Sequence, residues 1–219
     1  MIEVVIVGGG GHASVLVEAA LASSALRIVG YVAPADGALS AAGIERLGDD
    51  QCAPDLIKRG IVHAVLGVAG AKDNVCRAGL FDMWRGLGFR FISVVHPTAV
   101  VSPRSRCGEG LQALPRAVIN AGASIGANVV VNTGAIVEHD CRLADHVHVA
   151  PGATVCGGVD VGAATLIGAG ATIVPAVVIG AGAVIGAGSV VLHDIPAGAR
   201  VAGVPARPLA RRVTNGMSV

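Results

Sequence analysis

The most regular feature of the sequence is an aliphatic residue at every sixth position. From Ile119 to Val191, thirteen residues spaced by six are all Ile, Val or Leu. An amphipathic helix repeats at about 3.6 residues and a simple strand at two, so neither predicts this spacing. A short fixed period sustained over this length is typical of repeat proteins, and hexapeptide periods are typical of parallel β-helices.

The period predicts a triangular prism that extends from Val101 to Val191. Each hexapeptide forms one short strand and one turn, so 18 residues close one coil, and coils stack at about 4.8 Å. The aliphatic residue points inward, and glycines allow the tight corners. A second inward position, two residues before the aliphatic one, carries a small side chain at Ala123, Ala135, Ala153, Ala171, Ala183 and Ser189.

The residue just before each inward aliphatic residue points out from a flat face of the prism. Read at intervals of 18, these residues form three columns: Val118, Ile136, Thr154, Thr172 and Val190 in the first; Val130, His148, Leu166 and Val184 in the second; Ser124, Arg142, Asp160 and Val178 in the third. Two columns are largely apolar or β-branched, which predicts that two faces meet neighbouring subunits of a closed homotrimer. The prediction puts His148 on a contact face and the charged third face in water.

The first 96 residues have a different pattern, in which strands alternate with helices. This alternation predicts a small Rossmann-like α/β domain with a parallel sheet. His96-Pro97 is a plausible boundary, because proline forces its predecessor into an extended conformation. We therefore expect domains at 1–96 and 97–219. The predicted strands cover 2–7, 27–32, 62–68 and 89–95, the helices cover 12–24, 55–59 and 74–87, and residues 33–48 are predicted to be a loop.

Composition supports this division and narrows the possible partners. The chain is 53% apolar but only 2% aromatic, as expected for a thin prism filled by Ile, Val and Ala. Its net charge of +1 favours neither nucleic acid nor a membrane surface as a partner. The uncharged segment 161–192 could span a bilayer by length, but its glycine spacing and Pro175 favour the prism. Five cysteines without a CxxC pair, and no signal peptide pattern, predict a cytoplasmic protein with free thiols.

A glycine-rich turn between the first strand and the first helix is a candidate phosphate site. Gly8, Gly10 and Ala13 satisfy the G-x-G-x-x-G/A pattern, in which backbone N–H groups at a helix N-terminus hold phosphate. The second strand is followed by Ala33-Pro34 and lacks the acidic residue that binds the ribose of NAD. A nucleotide-sugar phosphate is therefore favoured over NAD, and a tight turn without a ligand is the alternative. His12 either donates to the phosphate or only packs.

The densest polar interruption of the prism is at 132–148, and it contains His139 between Glu138 and Asp140. His139 is predicted to point outward near a corner, with Gly157 one coil above it. The missing side chain would leave a slot beside the imidazole, and the Gly157 N–H could donate to a carbonyl oxygen. Either carboxylate could fix the imidazole tautomer so that the other nitrogen acts as a base.

Each of these histidines also has a simpler interpretation. His139 could be a solvated corner residue, and for His146 that is the preferred interpretation. Three nearby histidines could also bind zinc, but no histidine stacks one coil above or below His139, so we predict no metal site. His63, His96 and His193 have no partners in the pattern and are treated as structural.

Four motifs together resemble one family. They are Gly-Gly-Gly-Gly-His at 8–12, Asn132-Thr133, the Val-Glu-His-Asp-Cys segment at 137–141, and Gly-Val-Pro-Ala-Arg at 203–207. The chain resembles, over nearly its whole length, the bacterial hexapeptide-repeat sugar acetyltransferases. This family includes sialic acid O-acetyltransferase and the bacillosamine and perosamine N-acetyltransferases.

The resemblance implies a left-handed β-helix and a trimer with CoA bound between neighbouring subunits. It implies acetyl transfer from acetyl-CoA to the amino group of a nucleotide-linked sugar of the 4-amino-4,6-dideoxy type. His139 would be the base, with Asp140 and Glu138 as its candidate supporting carboxylates. The residues expected to bind the nucleotide sugar are Gly8, Gly10, Gly11, His12 and Asn132; those expected to bind CoA are His148, Gly157, Ala169 and Arg207.

Two other functions stay open at the level of the sequence. A sugar O-acetyltransferase would use the same His139 base, because a hydroxyl also needs general-base activation. A non-catalytic nucleotide-binding scaffold would need no base. The nucleotide is also open between UDP and GDP, because Ala33-Pro34 stands where relatives commonly carry acids. Position 140 is Asp, where some relatives have Glu, and this slightly favours the perosamine type of acetyltransferase.

Overall fold

The computed structural model describes residues 1–23, 25–70 and 72–209. Ser24, the predicted end of the first helix, lies outside the described residues. So do residues 210–219 of the predicted second domain.

The N-terminal half is a five-stranded sheet in which every pairing is parallel. Its order is β3-β2-β1-β4-β5. The alternation predicted from the sequence is confirmed, with β4 and α4 shorter than expected and β2 and α3 one residue longer. The strands are β1 Ile2–Val7, β2 Leu26–Val32, β3 Arg46–Gly48, β4 His63–Leu66 and β5 Arg90–Phe91; the helices are α1 Gly11–Ser23, α2 Ala38–Ala41, α3 Ala53–Lys58 and α4 Val75–Gly86, with a 3₁₀ turn at Asp50–Cys52.

Two predictions for this half were wrong. The segment 33–48 is not only a loop, because it contains α2 and the edge strand β3. The apolar run 89–95 is not one strand, because it serves two sheets. Arg90–Phe91 pairs with His63–Ala64 of the N-terminal sheet, whereas Val94–Val95 pairs with Gln112–Ala113 of the prism.

The two faces of the N-terminal sheet are covered by different helices. Leu16 and Val17 of α1 pack on one face, together with Tyr31. On the other face, Phe81 and Trp84 of α4 pack against Phe89, Phe91 and neighbouring aliphatic residues. All five aromatic residues of the chain belong to this half, so the prism core contains none, as the composition suggested.

The second half is the predicted prism, built from three parallel sheets. We number the faces after the three columns defined above. The first face contains Val100–Val101, Val118–Ile119, Ile136–Val137, Thr154–Val155, Thr172–Ile173 and Val190–Val191; the second contains Val94–Val95, Gln112–Ala113, Val130–Val131, His148–Val149, Leu166–Ile167, Val184–Ile185 and Arg200–Ala202, with Arg207–Pro208 added antiparallel; the third contains Arg106–Cys107, Ser124–Ile125, Arg142–Leu143, Asp160–Val161 and Val178–Ile179.

The six-residue period is confirmed at every inward position from Ile119 to Val191, whereas Cys107, in the same register in the first coil, is exposed. All thirteen aliphatic residues from Ile119 to Val191 are buried, as are the six small residues that precede them by two. Residues one coil apart pair with each other, for example Val118 with Ile136 and Arg142 with Asp160. After Val191 the register breaks, and Val184 pairs with Arg200 where an unbroken period would bring Ala202.

Three corners connect the faces, and each corner contains different candidate site residues or polar residues. Along one coil the chain passes from the first face to the third, then to the second. His139 and Gly157 therefore lie on the first–third corner. Asn128 and His146 lie on the second–third corner, and Asn132 and Ala169 lie on the first–second corner.

The second face is covered by the N-terminal half of the same chain, which corrects one prediction. Val130, His148 and Leu166 are buried in the isolated chain, so this column is not free to meet a neighbouring subunit. Leu114 of the prism packs in the same hydrophobic cluster as the buried residues of α1. This contact holds the N-terminal sheet domain against the second face. The first column is half-buried between Val118 and Val190, so it is the one apolar column left accessible.

Helix α4 joins the two halves along the second–third corner. Asn74, just before the helix, donates from Nδ2 to the Thr165 carbonyl oxygen at 2.9 Å. Arg77 donates from Nη2 to Oδ1 of Asn128 at 2.8 Å and to its backbone oxygen. Positions 74, 77 and 81 share one helix face, and the ring of Phe81 lies over Gly110 on the same corner.

No helix within the described residues is long and apolar enough to cross a membrane.

Candidate active site

His139 lies in the turn that follows strand Ile136–Val137, on the first–third corner. Its Nδ1 is 2.9 Å from Oδ2 of Asp140. Because a carboxylate only accepts hydrogen bonds, Nδ1 carries the proton in the neutral imidazole and Nε2 has the lone pair. The side chain of His139 is 65% exposed, so Nε2 is accessible to a substrate. This arrangement is that of a general base with a carboxylate that fixes its tautomer.

Gly157 makes room for the imidazole, which differs in one respect from the predicted empty slot. A Cβ atom at this position would lie 2.6 Å from both Cε1 and Nε2 of His139. The ring therefore fills the space that a side chain at Gly157 would occupy, and no empty slot is left beside the ring. Any larger residue at 157 would displace the imidazole, so the glycine fixes the position of the ring.

The sequence left open which carboxylate orients His139, and the geometry assigns Asp140. Glu138 is engaged elsewhere, because its Oε2 accepts from Nδ2 of Asn120 at 2.8 Å and from the backbone N–H of His139 at 3.3 Å. Asn120 was not among the predicted site residues. Its position one coil before Glu138 was a usable signal, because residues at that spacing stack on each other.

The corner glycine at 122 makes space for Asp140. Asp140 has a positive φ of 59°, and its Oδ1 contacts the position that a Cβ at Gly122 would occupy. Below the imidazole is a groove of about 370 Å³ lined by Arg104, Ala121, Gly122, His139 and Asp140. The groove is large enough for part of a sugar ring beside the base.

The glycine-rich turn divides into a packed part and an open part. Gly8, with a φ of 110°, and Gly9 have no room for a side chain, because Val68 and the Tyr31 ring lie against them. At Gly10 and Gly11 an added Cβ would meet no atom within 4 Å. The open glycines stand at the start of α1, where first-turn N–H groups lack helical partners and suit a phosphate.

His12 contacts the prism, a third possibility beside the two that the sequence allowed. Its Nε2 lies 2.8 Å from Oε1 of Gln112, whose Nε2 donates to the Leu66 carbonyl oxygen at 2.7 Å. Burial lowers the pKa of His12, and the hydrogen bond to Gln112 opposes that effect. Gln112 was missed, although a polar residue in a largely apolar column was a signal for it.

Asn132 and His148 are brought together near the first–second corner. Nδ2 of Asn132 lies 3.1 Å from Nε2 of His148. His148 is only 3% exposed, and its Nδ1 faces the backbone of Gly70 without a well-formed hydrogen bond among the described residues. Burial, together with the nearby Arg77 charge, lowers the pKa of His148 to about 3. The imidazole is therefore neutral at physiological pH.

The depressed pKa of His148 predicts a loss of stability in mild acid. An unfolded histidine has a pKa near 6.5, and the folded value is about 3. Between these values the unfolded chain binds a proton that the folded chain does not. Stability present above pH 6.5 is therefore lost as the pH falls toward 3, by at most about 1.4 kcal/mol per pH unit for one group. Burial also lowers the pKa values of His12 and His146. These two histidines therefore add to the loss of stability as the pH falls.

The measurement is the free energy of urea unfolding from pH 7 to pH 5, for the wild type and for His148→Gln. Glutamine can keep a hydrogen bond to Asn132 and has no titration in this range. The variant is expected to lose less stability over the two pH units than the wild type does. His193→Gln, at an exposed position, is the control and is expected to follow the wild type. An equal pH dependence in His148→Gln and the wild type would contradict this assignment.

His146 is not the solvated corner residue that the sequence suggested. Its side chain is only 16% exposed, and its Nδ1 accepts from Nδ2 of Asn128 at 2.9 Å. The ring packs edge to face on Phe81. The prediction failed because a helix from the other half of the chain covers this corner, and the local sequence does not reveal it.

Ala169 lies in a second groove, on the first–second corner. The groove holds about 340 Å³ between apolar prism residues and two basic residues, Lys72 and Arg200. Arg200 also donates from Nη2 to the Lys72 carbonyl oxygen at 3.3 Å, so the two residues are neighbours. Arg207 is exposed beyond the last coil. Two cations beside an apolar channel suit a ligand that has both a flexible arm and phosphates.

The predicted site residues fall into two groups on different parts of one chain. His139, Asp140, Glu138 and Gly157 share the first–third corner. The nucleotide turn, His12, Asn132, His148 and Ala169 lie on the second face or on the first–second corner. In a triangular prism the first–third corner is opposite the second face. A single chain therefore does not bring its base next to its own nucleotide turn.

Among the described residues, no three His, Cys, Asp or Glu side chains are grouped so that they could hold a metal ion. His139 has one carboxylate neighbour and His146 has an amide neighbour.

Solved structures of similar proteins cover almost the whole chain. A histidine-to-asparagine variant of perosamine N-acetyltransferase from Caulobacter crescentus, in complex with CoA and GDP-perosamine, is 38% identical, with 95% of this chain and 97% of that chain covered and a TM-score of 0.89. The acetyltransferase domain of PglB from Neisseria gonorrhoeae FA1090, in complex with acetyl coenzyme A, is 33% identical, with 95% and 99% covered and a TM-score of 0.87. WeeI from Acinetobacter baumannii AYE is 25% identical, with 95% and 100% covered and a TM-score of 0.81.

A family described as bacterial transferase hexapeptide (six repeats) matches residues 158–193, within the regular part of the prism. The match of nearly full length to perosamine N-acetyltransferase extends the similarity to the N-terminal half and to the corner that bears His139. The chain therefore belongs to the bacterial hexapeptide-repeat family of sugar acetyltransferases.

Proposed function

We propose that the protein transfers the acetyl group of acetyl-CoA to the amino group of a nucleotide-linked 4-amino-4,6-dideoxy sugar. The observation that carries the proposal is the His139–Asp140 pair, an accessible imidazole held 2.9 Å from a carboxylate above an open groove. Similar proteins were solved with CoA and GDP-perosamine, and with acetyl coenzyme A. These ligands supply the two substrates that such a base would serve.

In the proposed reaction, Asp140 keeps the proton of His139 on Nδ1, and Nε2 receives a proton from the sugar amine. The amine nitrogen attacks the thioester carbonyl carbon, and the carbonyl oxygen becomes an oxyanion. The Gly157 N–H, next to the imidazole, is the candidate donor to that oxygen. As the carbon–sulfur bond breaks, protonated His139 returns the proton to the CoA sulfur, so the products are an amide and a thiol.

The proposal is tested by mass spectrometry of a nucleotide-sugar panel incubated with acetyl-CoA. The panel pairs each 4-amino sugar nucleotide, GDP-linked first, with its 4-hydroxy analogue. Addition of one acetyl group to the amine alone is the expected result. Acetylation of the hydroxyl analogue would favour the O-acetyltransferase, and no product from any member would favour the non-catalytic scaffold.

We also propose a homotrimer in which the first face of each prism points toward the threefold axis. The first column, from Val118 to Val190, supplies a largely apolar surface, and the second face is unavailable because the N-terminal half covers it. Around a threefold axis, the first–third corner of one prism adjoins the first–second corner of the next. His139 of one subunit would then face Asn132 and the nucleotide turn of its neighbour.

The same packing supplies a site for CoA between two chains. Gly157 and His139 of one subunit would meet Ala169 of the next, beside the groove that Lys72 and Arg200 line. The basic residues suit the CoA phosphates, and the apolar corner suits the pantetheine arm. His148, buried under this corner, would contribute by holding Asn132 in place. Arg207 lies near the end of the same groove.

Complementation between two inactive variants tests the shared site. His139→Asn removes the base, and Gly10→Glu places a carboxylate in open space at the phosphate turn, where an added Cβ meets no atom within 4 Å. Each variant alone is expected to be inactive. When the two are unfolded and refolded together at equal amounts, roughly one site in four combines an intact base with an intact turn. Recovery of about a quarter of wild-type activity supports the trimeric site, and no recovery opposes it.

Three finer features of the fold are proposals of the same kind. The strand order β3-β2-β1-β4-β5 supports a Rossmann-like N-terminal domain, with its ligand crevice where the order reverses between β1 and β4. Gly8 and Gly67 meet at that point, which places the open glycines beside the crevice. We infer domains at 1–96 and 97–219, joined through the strand Val94–Val95. The left-handed sense of the β-helix follows from the family.

A further inference from the structure

We propose that Arg104 binds the phosphate next to the sugar in the nucleotide-sugar substrate, and so determines which end of the substrate enters the groove. The inference rests on the proposed acetyltransferase function, and it adds a residue that the motifs of the sequence do not include. It is carried by the position of Arg104 in the groove below His139.

Arg104 belongs to the same corner column as Asp140, two coils lower. The turn that carries it is fixed locally, because the Arg104 N–H donates to Oγ of Ser102 at 3.2 Å. Gly122 lies between the two residues at the intervening coil, and the carboxylate of Asp140 occupies part of the space that its missing side chain leaves. Arg104, Asp140 and the imidazole of His139 line one groove of about 370 Å³.

The guanidinium of Arg104 is free to bind a ligand. Among the described residues it takes part in no hydrogen bond through its side chain and in no ion pair, whereas Arg142 on the third face is paired with Asp160 at 2.7 Å. The groove also contains the carboxylate of Asp140, and Glu138 lies next to His139 in the chain. Without a cation, these negative charges would repel a diphosphate.

The dimensions of the groove match the substrate. Two coils are about 10 Å apart at strand spacing. In a 4-amino sugar nucleotide, the amine on carbon 4 and the phosphate on carbon 1 lie on opposite sides of the sugar ring. With the amine at Nε2 of His139 and the sugar lying along the groove, the phosphate would lie one ring length away, on the side of Arg104. A guanidinium binds phosphate through two parallel hydrogen bonds, which fixes orientation as well as affinity.

The test compares Arg104→Gln with Arg106→Gln, a control that removes the same charge from an exposed strand residue on the same coil. Steady-state kinetics with the active amino sugar nucleotide should show a KM for that substrate raised roughly tenfold or more in Arg104→Gln. The KM for acetyl-CoA should not change. Arg104→Lys should recover part of the loss, because it restores the charge without the bidentate geometry. The control should match the wild type in both constants.

Calorimetric titration separates phosphate binding from a contact with the sugar. GDP with GMP, and UDP with UMP, are titrated into the wild type and into Arg104→Gln. The variant is expected to weaken binding of the diphosphate about tenfold and to leave binding of the monophosphate unchanged. Equal Kd values for the diphosphate in the two proteins would overturn the inference, and so would an equal loss for both nucleotides.

The outcomes also separate this inference from the proposed function. A raised KM for acetyl-CoA alone would assign Arg104 to the CoA phosphates and overturn the inference. If the wild type binds nucleotides but transfers no acetyl group, the proposed function fails and the calorimetric comparison still decides the role of Arg104. If the wild type binds neither nucleotide, the inference is wrong, and the acetylation panel alone decides the proposed function.

Discussion

Replacing His139 by asparagine is expected to lower turnover at saturating acetyl-CoA and amino sugar nucleotide by at least about 100-fold, the usual loss when a general base is removed. The physical reason is that Nε2 is the accessible basic atom of the corner, since Nδ1 is held at 2.9 Å by Asp140. Asparagine is similar in size and polarity but has no basic nitrogen. The amine would then lose its proton to water.

The fold is expected to survive this change, because the imidazole is 65% exposed and contributes little to the core. His193→Asn is the matched control, since it makes the same substitution at an exposed position of the same corner column. Turnover numbers are measured for both variants under saturating conditions, with the KM values determined separately. Turnover of His139→Asn near the wild-type value would contradict the assignment of the base.

The prism could be predicted almost completely from the sequence because its constraint is local and repeated. Each inward position, such as Val137, must be apolar, and its neighbours in space lie one full coil away along the chain. Positions along the chain therefore translate directly into contacts, as the pairing of Ile136 with Thr154 shows. A one-residue error in register would have pointed the aliphatic residues outward, so the pattern has one solution.

The packing of the N-terminal half on the prism could not be predicted in this way. The sequence placed Asn74 and Arg77 on a predicted helix without indicating what they contact, and it suggested a solvated corner for His146. Their burial depends on contacts between segments 51 residues or more apart in sequence, which no local period reveals. This contact also changed the interpretation of the second column, whose apolar residues are covered by the same chain and not by a partner.

The sequence indicated which residues are candidates for the site, but not how they are arranged. His139 and its two flanking carboxylates were the candidates from the sequence, which could not choose between Glu138 and Asp140. The choice depends on the positive φ of Asp140 and on the bond from Asn120 to Glu138, both of which are three-dimensional facts. Gln112 was missed because its partners, His12 and Leu66, lie in distant parts of the chain.

Replacing Arg77 by methionine is expected to lower the free energy of unfolding by about 3 kcal/mol, within the range for removing one partner of a buried charged group. Arg77 is fully buried, and burial lowers its pKa. Its guanidinium donates to the side chain and backbone of Asn128 and, at 3.4 Å, to the His146 carbonyl oxygen. Methionine fills much of the same volume, but it leaves these buried acceptors without a donor.

The expected loss is measured by urea unfolding at one fixed protein concentration, so that subunit association contributes equally to each variant. Trp84, the one tryptophan of the chain, is buried in the same helix and reports unfolding by its fluorescence. Arg85→Met is the control, because Arg85 is 60% exposed and its bridge to Glu109 is 3.4 Å long. That change should cost less than about 1 kcal/mol. A loss in Arg77→Met no larger than in Arg85→Met would show that the buried guanidinium does not hold the two halves together. In that case the contact between α4 and the prism would depend on Phe81 and its apolar neighbours, because these are the other groups that α4 buries against the second–third corner.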